Sequence, residues 1–351
     1  MHADHPTTLV PPLEDNLAGR ATAVAHPNIA LIKYWGKRDE QLVLPRVDSL
    51  SMTLDIFPTT TCVRLAPQAE HDQVTLNGEV ARGQARERVV AFLDLVRAQA
   101  RKKLPAVVDS ENTVPTGAGL ASSASGFAAL ALAAAAAYGL TLDATALSRL
   151  ARRGSGSASR SVFGSFALWH AGLATGTATE ADLSSYAEPV PAPGLDPALV
   201  IAVVDAGPKA VSSREAMRRT VDTSPLYEPW ARSSKDDLKD MRTALDRGDL
   251  AAVGEIAERN ALGMHATMLA ARPAVRYLAP ATLTVLDSVL QLRRDGIPAY
   301  ATMDAGPNVK VLCRRTDARQ VADTVRSAMT AGSVLTARPG PGARLLPQDT
   351  R

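Results

Sequence analysis

The sequence predicts a two-domain α+β protein. Segments with strand periodicity are mixed with segments of helical periodicity, and few of them form clean strand–helix–strand repeats. A proline-rich segment, AEPVPAPGLDPA at 187–198, interrupts the chain near its middle and is typical of a linker. We therefore predict an N-terminal domain over residues 21–195 and a C-terminal domain over 196–345, with a flexible leader at 1–20.

The N-terminal domain is predicted to begin with strands and to continue with helices. Its strand-like segments are 21–31, 50–65, 73–76 and 106–108. The segment 73–76 is followed by a turn at Asn77-Gly78. Residues 84–103 have their apolar side chains on one helical face and arginine and glutamine on the other, which predicts an amphipathic helix. A long Ala/Leu helix then follows a Gly/Ser-rich loop, and a short helix starts near Asp143.

The C-terminal domain is predicted to begin with a buried strand at 199–204. Several helices and one hairpin follow this strand. The predicted helices cover about 212–222, 230–247, 250–271, 281–295 and 317–330, and the hairpin pairs 300–303 with 309–312 before a short final strand.

Composition excludes several classes of protein. The chain has 351 residues, of which 46% are apolar and 21% charged, as in a globular protein, and its net charge of +3 is too dispersed to indicate nucleic-acid binding. The apolar run 127–138 is too short to span a membrane, and the first twenty residues do not resemble a signal peptide. The only cysteines, Cys62 and Cys313, are far apart, which argues against a disulfide framework or a cysteine metal site and is consistent with a reducing cytoplasm.

The most informative segment is NTVPTGAGLASSASG at 112–126, where a Gly/Ser-rich loop opens into the Ala/Leu helix. The first N–H groups of a helix lack partners and lie at the positive end of its dipole, so they attract phosphate. Gly117 and Gly119 would let the backbone approach an anion, and Ser122, Ser123 and Ser125 would add hydroxyl donors. The alternative is a serine-capped helix after an ordinary loop.

A second candidate segment is HPNIALIKYWGKR at 26–38. The chain has only eight lysines against thirty-one arginines, and Lys33 and Lys37 lie close together beside Tyr34 and Trp35. A flexible ammonium group is suited to phosphate charge or to a neighbouring carboxylate. The alternative is that the two aromatic residues anchor the core and the lysines lie on the surface.

Two further segments combine serine with arginine. In GSGSASR at 154–160, Ser157 and Arg160 would share a helix face, and the arginine fork suits a carboxylate or phosphate. In VSSREAMRRT at 211–220, the paired serines look like helix N-caps whose hydroxyls could also hold an anion. The alternative is a capped helix with a solvated arginine in the first segment and helix capping alone in the second.

A fifth segment, TMDAGPN at 302–308, places Asp304 at the end of a hydrophobic strand. This aspartate either belongs to the turn or is a base presented over a site. Asp205 stands in a second DAGP tetrapeptide, so local sequence does not choose between the two. Serines, glycines, two lysines, an arginine and an aspartate suit phosphoryl transfer. The GxSxG, HExxH and GxGxxG patterns and a histidine zinc spacing are absent.

These segments resemble a known family. The Gly/Ser loop resembles the phosphate loop of the GHMP small-molecule kinase superfamily. HPNIALIKYWGKRDEQLVLP, ARRGSGSASRSVFG, VSSREAM and MDAGPNVKV are similar, in the same order, to segments of the diphosphomevalonate decarboxylases. The resemblance implies an N-terminal domain like ribosomal protein S5 domain 2, a C-terminal ferredoxin-like GHMP domain and an active site in the cleft between them.

The resemblance also implies an activity. ATP, with Mg²⁺, would phosphorylate the 3-hydroxyl of (R)-5-diphosphomevalonate, and loss of phosphate and carbon dioxide would yield isopentenyl diphosphate in isoprenoid biosynthesis. A homodimer is implied, with no nucleic-acid or membrane partner. The alternatives are a relative that acts on a mevalonate monophosphate or stops at 3-phosphorylation, and a non-catalytic sensor, for which a base would be unnecessary.

The resemblance assigns roles to individual residues. Asp304 matches the catalytic aspartate that acts as base or orienter, Lys33 would lie beside it, and Arg160 would hold the substrate carboxylate. The residues matching the substrate pocket are Tyr34, Lys37, Ser155, Ser157, Arg160, Ser212 and Ser213. Those matching the ATP site are Pro115, Gly117, Gly119, Leu120, Ala121, Ser122 and Ser123, and Ser123 is the candidate Mg²⁺ ligand.

One segment departs from the family pattern. Family members usually have PxNSSLS where this chain has PRVDSLS, so that Val47 replaces an asparagine and Asp48 a serine. A carboxylate near a diphosphate would repel it unless it is turned away or offset by a cation. We therefore expect Asp48 to weaken substrate binding, and Asp48→Ser to improve it.

Overall fold

The computed structural model describes residues 19–114, 122–205, 207 and 211–347. The described strands are β1 Arg20–Ala25, β2 Asn28–Ile32, β3 Lys37–Asp39, β4 Leu44–Pro45, β5 Ser49–Thr53, β6 Thr59–Leu65, β7 Gln73–Leu76, β8 Glu79–Val80, β9 Ala106–Asn112, β10 Phe166–Trp169, β11 Ala187–Val190, β12 Pro197–Val203, β13 Ala299–Met303, β14 Val309–Arg314, β15 Ser333–Ala337 and β16 Arg344–Leu345. The described helices are α1 Gly83–Ala100, α2 Ser122–Ala137, α3 Ala144–Gly154, α4 Ala158–Ser161, α5 Ala178–Ser184, α6 Ser213–Thr223, α7 Tyr227–Asp246, α8 Leu250–Leu269, α9 Pro280–Arg294 and α10 Ala318–Ala328.

The N-terminal half contains two sheets and a short hairpin. One sheet has six strands in the order β16-β1-β6-β9-β7-β8, the other has four in the order β11-β10-β5-β2, and β3 pairs with β4. Helix α2 packs on β1 and β6, and nearly all its residues are buried. Because most of them are alanine, the helix approaches the sheet closely and fills a core that has few aromatic residues.

The C-terminal half is built on an antiparallel sheet in the order β13-β14-β12-β15. Strand β12 is buried along its whole length because helices cover both faces of this sheet. Leu199 and Ile201 pack in the core shared with α7 and α8, whereas Val200 and Ala202 pack with α9 and α10. The cover on both faces explains why the sequence of this strand is continuously apolar, as predicted.

Helix α8 lies at the junction of the two halves. It packs against β13 and β14 of the C-terminal sheet and also against β2 of the N-terminal half. Ile29 and Leu31 of β2 share one hydrophobic core with Val253 and Ile256 of α8. The strands that precede Lys33 and Asp304 are therefore held on the same helix.

The predicted α+β fold class is confirmed, but three boundaries need correction. The proposed linker at 187–198 contains β11 and the start of β12. Pro189 is tolerated because β11 is an edge strand, where a missing N–H breaks no ladder on its open side. Arg20, placed in the flexible leader, pairs with Arg64 in the sheet.

The third correction concerns the end of the chain. Residues 344–345 were assigned to the C-terminal domain, yet β16 pairs with β1 of the N-terminal sheet. Gly340 and Ala343 also hydrogen-bond to Thr53 and Val162 of the N-terminal half. In the part of the chain that the structure describes, no helix is both long and apolar enough to cross a membrane.

Candidate active site

A cavity of about 1030 Å³ brings together the segments selected from the sequence. The predicted residues that line it are Lys33, Tyr34, Lys37, Ser122, Ser123, Ser155, Ser157, Arg160, Ser212, Ser213 and Asp304. The other predicted ATP-site residues, Pro115, Gly117, Gly119, Leu120 and Ala121, lie outside the described residues. The cavity is lined from both halves, so it is a cleft between them.

Asp304 lines this cleft and lies between two ammonium groups. Lys33 Nζ is 2.8 Å from Asp304 Oδ1, and Lys310 Nζ is 3.2 Å from Oδ2. Both lysine side chains are 2% exposed, whereas the aspartate side chain is 29% exposed. The carboxylate therefore keeps an open side toward the cleft while both of its oxygens are held from behind.

The electrostatic environment keeps this aspartate ionised. Burial alone would raise the pKa of Asp304, but the charges of Lys33 and Lys310 outweigh it and hold the pKa well below its usual value. Burial lowers the pKa of Lys33, an effect that the neighbouring Asp304 opposes. An ionised carboxylate with an open side can accept a hydrogen bond from a hydroxyl group and so orient it.

Arg160 also lines the cleft and is fixed there by three hydrogen bonds. Its Nε donates to Ser51 Oγ at 2.9 Å, its Nη1 donates to Ser49 Oγ, and its Nη2 donates to Asn28 Oδ1 at 3.3 Å. The residue is 2% exposed, and burial lowers its pKa to about 10. The guanidinium therefore remains charged at neutral pH, is held in one orientation and retains further N–H donors for a ligand.

Two residues of the KYWGK segment present polar groups to the cleft. The Tyr34 ring makes an edge contact with Trp169 at 4.7 Å between centroids, and its buried hydroxyl has no hydrogen-bond partner. Lys37 Nζ is 2.5 Å from Glu40 Oε2, and Glu40 also lines the cleft. The Tyr34 hydroxyl can bind a ligand directly, whereas Lys37 must share or leave its carboxylate partner to do so.

The serine segments form the remainder of the wall. Ser123 Oγ lies 3.2 Å from Ser155 Oγ, which lies 3.5 Å from Ser157 Oγ. Ser122 begins α2, so the dipole of that helix points its positive end at the cleft. The expectation that Ser125 offers a hydroxyl there is wrong, because its position on the helix turns it toward β6, where it hydrogen-bonds to Thr59.

The helix-cap interpretation holds for Ser212. Its hydroxyl accepts from the N–H of Glu215 in the first turn of α6, and the residue also lines the cleft. Ser213 lines the cleft beside it, as does Arg214, which the sequence analysis did not select. The N-terminus of α6 therefore places the charge of Arg214 and the positive end of a second helix dipole at the cleft.

Asp48 does not face the cleft. Its Oδ1 accepts a hydrogen bond of 2.5 Å from the N–H of Ala171, and Arg38 donates to the carbonyl of the same residue. The expectation that this carboxylate repels a ligand is thus not supported by the geometry, because the group is turned away. Asp205 is also absent from the cleft, since its Oδ1 accepts from the N–H of Gly207 in a local turn.

Several residues at the site were missed by sequence reasoning. Ser49 and Ser51 alternate on β5 and so reach the same face as Arg160. Asn260 Oδ1 accepts from the N–H of Lys33 at 2.9 Å, and His265 Nε2 is 3.1 Å from the carbonyl of Asp304. The sequence predicts a helix at about 250–271, but the contacts of Asn260 and His265 depend on how this helix packs in the fold.

A smaller cavity of about 230 Å³ adjoins the cleft. The smaller cavity continues over apolar side chains of α1, α2 and β9 such as Val89 and Phe127. The two cavities share five lining residues, which are Asn77, Arg88, Asn112, Ser122 and Ser123. Within residues 19–114, 122–205, 207 and 211–347, no group of three or more His, Cys, Asp or Glu side chains is arranged to hold a metal ion.

Comparisons with known proteins agree with this geometry. The model of the diphosphomevalonate decarboxylase-like N-terminal domain matches residues 25–182, and that of the mevalonate 5-diphosphate decarboxylase C-terminal domain matches 199–339. This chain belongs to the diphosphomevalonate decarboxylase family. The predicted resemblance is thereby confirmed.

Individual members of the diphosphomevalonate decarboxylase family are similar over most of the chain. Diphosphomevalonate decarboxylase mvd1 of Aspergillus fumigatus is 38% identical over 90% of this chain and 82% of its own length. The phosphomevalonate decarboxylase of Haloferax volcanii is 33% identical over 83% and 87%. A solved structure described as MDDEF in complex with MVAPP, AMPPCP and magnesium is 44% identical, with a TM-score of 0.88 over 94% of this chain and 99% of that one.

Proposed function

We propose that this protein catalyses the ATP-dependent decarboxylation of (R)-5-diphosphomevalonate to isopentenyl diphosphate, with ADP, phosphate and carbon dioxide as the other products. The observation that carries the proposal is that Asp304, held between two lysines, lines the same cleft as the immobilised Arg160. A family member whose structure holds MVAPP, AMPPCP and magnesium supports the same substrate classes for this chain.

The proposed reaction has two stages. The 3-hydroxyl oxygen of the substrate attacks the γ-phosphorus of ATP, ADP leaves, and the hydroxyl proton passes to a phosphate oxygen or to Asp304. The C3–O bond then breaks, and phosphate departs with the bonding electrons. The electrons of the C1–C2 bond form the new C2=C3 double bond as carbon dioxide is released, so no redox partner is needed.

The residues divide this chemistry between them. Asp304 orients the 3-hydroxyl, and Lys33 keeps Asp304 charged and faces the transferring phosphoryl group. Arg160 holds the substrate carboxylate in line for departure, because its contacts with Ser49, Ser51 and Asn28 fix its plane. No covalent intermediate with the protein is required.

The diphosphate of the substrate would bind near Lys37 and Arg214, the cations that line the cleft beside Tyr34 and the N-terminus of α6. Tyr34 supplies a hydroxyl donor without a partner, and Lys37 and Arg214 supply charge. Ser155, Ser157, Ser212 and Ser213 add hydroxyl groups along the same cleft. Two cations that line one cleft, Lys37 and Arg214, suit the charge of a diphosphate ligand.

ATP is assigned to the α2 end of the cleft. The helix N-terminus and Ser122 would bind its phosphates, together with the loop residues from Pro115 to Ala121. The adjoining apolar cavity over Val89 and Phe127 would accept the adenine ring. Mg²⁺ bound to the ATP phosphates would neutralise charge there, and the hydroxyl oxygen of Ser123 is a hard ligand of the kind that Mg²⁺ accepts.

Product analysis tests this proposal. The purified protein is incubated with ATP, Mg²⁺ and, in parallel, (R)-5-diphosphomevalonate, its 5-monophosphate and mevalonate. We expect isopentenyl diphosphate and carbon dioxide from the diphosphate, and Asp304→Asn should lose nearly all turnover, with a small residual kcat, while ATP binding is kept. A 3-phosphorylated product without carbon dioxide would overturn the proposal, and an active Asp304→Asn would overturn the role of Asp304.

A second candidate, decarboxylation of the monophosphate, is favoured by the likeness to the Haloferax volcanii enzyme. The same experiment separates the two, because a monophosphate enzyme would show the higher kcat/KM with the shorter substrate.

We further propose that the protein is a cytoplasmic homodimer. Family resemblance supports the dimer, and the two free cysteines are consistent with a reducing compartment. Sedimentation equilibrium tests the dimer, and fractionation of the source cells tests the location.

A further inference from the structure

Lys310 is a buried cation that the proposed mechanism leaves without a role. It lies on β14 directly opposite Thr302 of β13, and its side chain is 2% exposed. Its Nζ contacts Asp304 Oδ2 at 3.2 Å and the carbonyl of Asn308 at 3.4 Å. A buried ammonium is costly unless it is paired and hydrogen-bonded, so Asp304 is the partner that makes Lys310 tolerable at this position.

The two lysines at Asp304 are not equivalent. Lys33 lines the cleft, whereas Lys310 is not among the residues that line it. Lys33 Nζ donates to Asp304 Oδ1 and to the carbonyl of Ala30 at 2.7 Å, which leaves one of its three N–H groups for a ligand. Lys310 thus reaches Asp304 only from behind, and Lys33 reaches both Asp304 and the cleft.

We propose that Lys310 is a positioning residue that fixes the Asp304 carboxylate through Oδ2, so that Lys33 can turn its charge toward the transferring phosphoryl group without releasing Asp304. The inference rests on the proposed function, since it assigns a second cation to the same reaction. When the γ-phosphoryl group approaches, its negative charge competes with Asp304 for Lys33. Lys310 faces no such competitor and keeps one carboxylate oxygen in place throughout.

The groups that face Asp304 define the expected pH dependence. They are Lys33 after β2, Lys310 on β14, Arg160 of α4 through the cleft, and His265 of α8 at the backbone carbonyl. His265 is neutral at neutral pH, because burial and the charge of Lys33 lower its pKa to about 4. Removal of Lys310 takes away one of the two lysine charges that hold the pKa of Asp304 down, so that pKa must rise.

The test compares Lys310→Met with Lys310→Arg. In Lys310→Met we expect kcat to fall by about 10- to 100-fold while the KM values for ATP and the diphosphate change by less than about 2-fold, because the lost contact acts on the reacting arrangement rather than on binding. The acidic limb of the kcat/KM profile should move to higher pH. Lys310→Arg keeps the charge and should keep the limb in place. Lys235→Met, at an exposed lysine of α7, is the matched control and should behave as the wild type.

A double-mutant cycle decides whether Lys310 acts through Asp304. In the Asp304→Asn background, adding Lys310→Met should change the residual kcat by less than about 3-fold, because the carboxylate that Lys310 positions is already gone. A further fall as large as that of the single variant, or an unmoved acidic limb in Lys310→Met, would overturn the inference.

Two controls keep the result interpretable. If Lys310→Met does not fold, Lys310→Gln replaces it against the same Arg variant, and the position of the acidic limb remains the criterion. Wild-type protein that makes isopentenyl diphosphate while Lys310→Met matches its kcat contradicts this inference alone. Wild-type protein without that product contradicts the proposed function instead.

Discussion

Asn260 and His265 lie on α8, and each hydrogen-bonds to the backbone of one member of the Lys33–Asp304 ion pair. Asn260 Oδ1 accepts from the N–H of Lys33, and His265 Nε2 is 3.1 Å from the carbonyl of Asp304. Because α8 packs on both β2 and β13, one rigid helix sets the relative position of residues from the two halves. The ion pair is thus held through the backbone as well as through its side chains.

Asn260→Ala should destabilise the protein and slow the reaction. Its amide also donates to Ser234 Oγ at 2.7 Å and Asp237 Oδ2 at 2.9 Å, so the substitution leaves buried groups without partners. We expect a loss of about 2 kcal/mol in the free energy of unfolding, measured in urea, and a lower kcat. Gln291→Ala removes an exposed hydrogen bond to Asp295 and is the control. An Asn260 variant as stable as that control would contradict the expectation.

His265 should make stability depend on pH below neutrality. Burial, followed by the charge of Lys33, lowers its native pKa to about 4 from 6.5. Between these values the unfolded chain binds a proton that the native protein does not, so stability is complete above pH 6.5 and is lost as pH falls. The linkage amounts to about 2 kcal/mol between pH 7.5 and 5.0.

The measurement is urea unfolding of the wild type and of His265→Gln at those two pH values. The variant should lose less stability than the wild type on acidification, whereas His71→Gln, at an exposed histidine, should keep the wild-type dependence. Equal losses in the wild type and His265→Gln would show that His265 is not the titrating group.

Glu40→Gln should strengthen binding of the diphosphate substrate. Glu40 lines the cleft, and its Oε2 lies 2.5 Å from Lys37 Nζ. The carboxylate therefore competes with an incoming anion for the lysine charge. We expect KM for the diphosphate to fall by about 2- to 5-fold, the size of an ion pair whose carboxylate is exposed to solvent. Glu228→Gln, which removes the exposed partner of Arg46 away from the cleft, should leave KM unchanged. A higher KM in Glu40→Gln would mean that the carboxylate helps to place Lys37.

Asp48→Ser should leave substrate affinity unchanged, contrary to the expectation from the sequence. The carboxylate is already occupied by the N–H of Ala171 and does not line the cleft. We expect KM to change by less than about 2-fold, and the free energy of unfolding to fall by about 1 kcal/mol for the lost hydrogen bond. Steady-state kinetics and urea unfolding measure both quantities, and a clear drop in KM would restore the repulsion argument.

Much of the fold was predictable because it depends on local pattern. The helices α6 to α10 follow from periodicity and caps, and the buried strand β12 from its continuous apolar run. The prediction of a linker at 187–198 was wrong because a proline indicates only that a backbone N–H is missing, and not that a strand is absent. Pro189 breaks no ladder on an edge strand, and edge position is a property of the sheet rather than of the segment.

The site was predictable only in part, for a related reason. Lys33 and Asp304 are separated by 271 positions, and only the family resemblance placed them together. Lys310 alternates with valines on β14, which is the pattern of an ordinary strand, so its contact with Asp304 depends on the fold. Asp48 was misjudged because the direction of a side chain is set by its partner, here the backbone of Ala171.

The pairing of β16 with β1 has a consequence for biosynthesis. Ala23 and Val24 pair with Leu345 and Arg344, so the outer edge of β1 finds this partner only after residue 345 has left the ribosome. Until then the nascent N-terminal sheet presents unpaired N–H and C=O groups of the kind that recruit foreign strands. A chain truncated before residue 344 would contain nearly all of the cleft residues, but the outer edge of β1 would lack its partner strand and could pair with strands of other molecules.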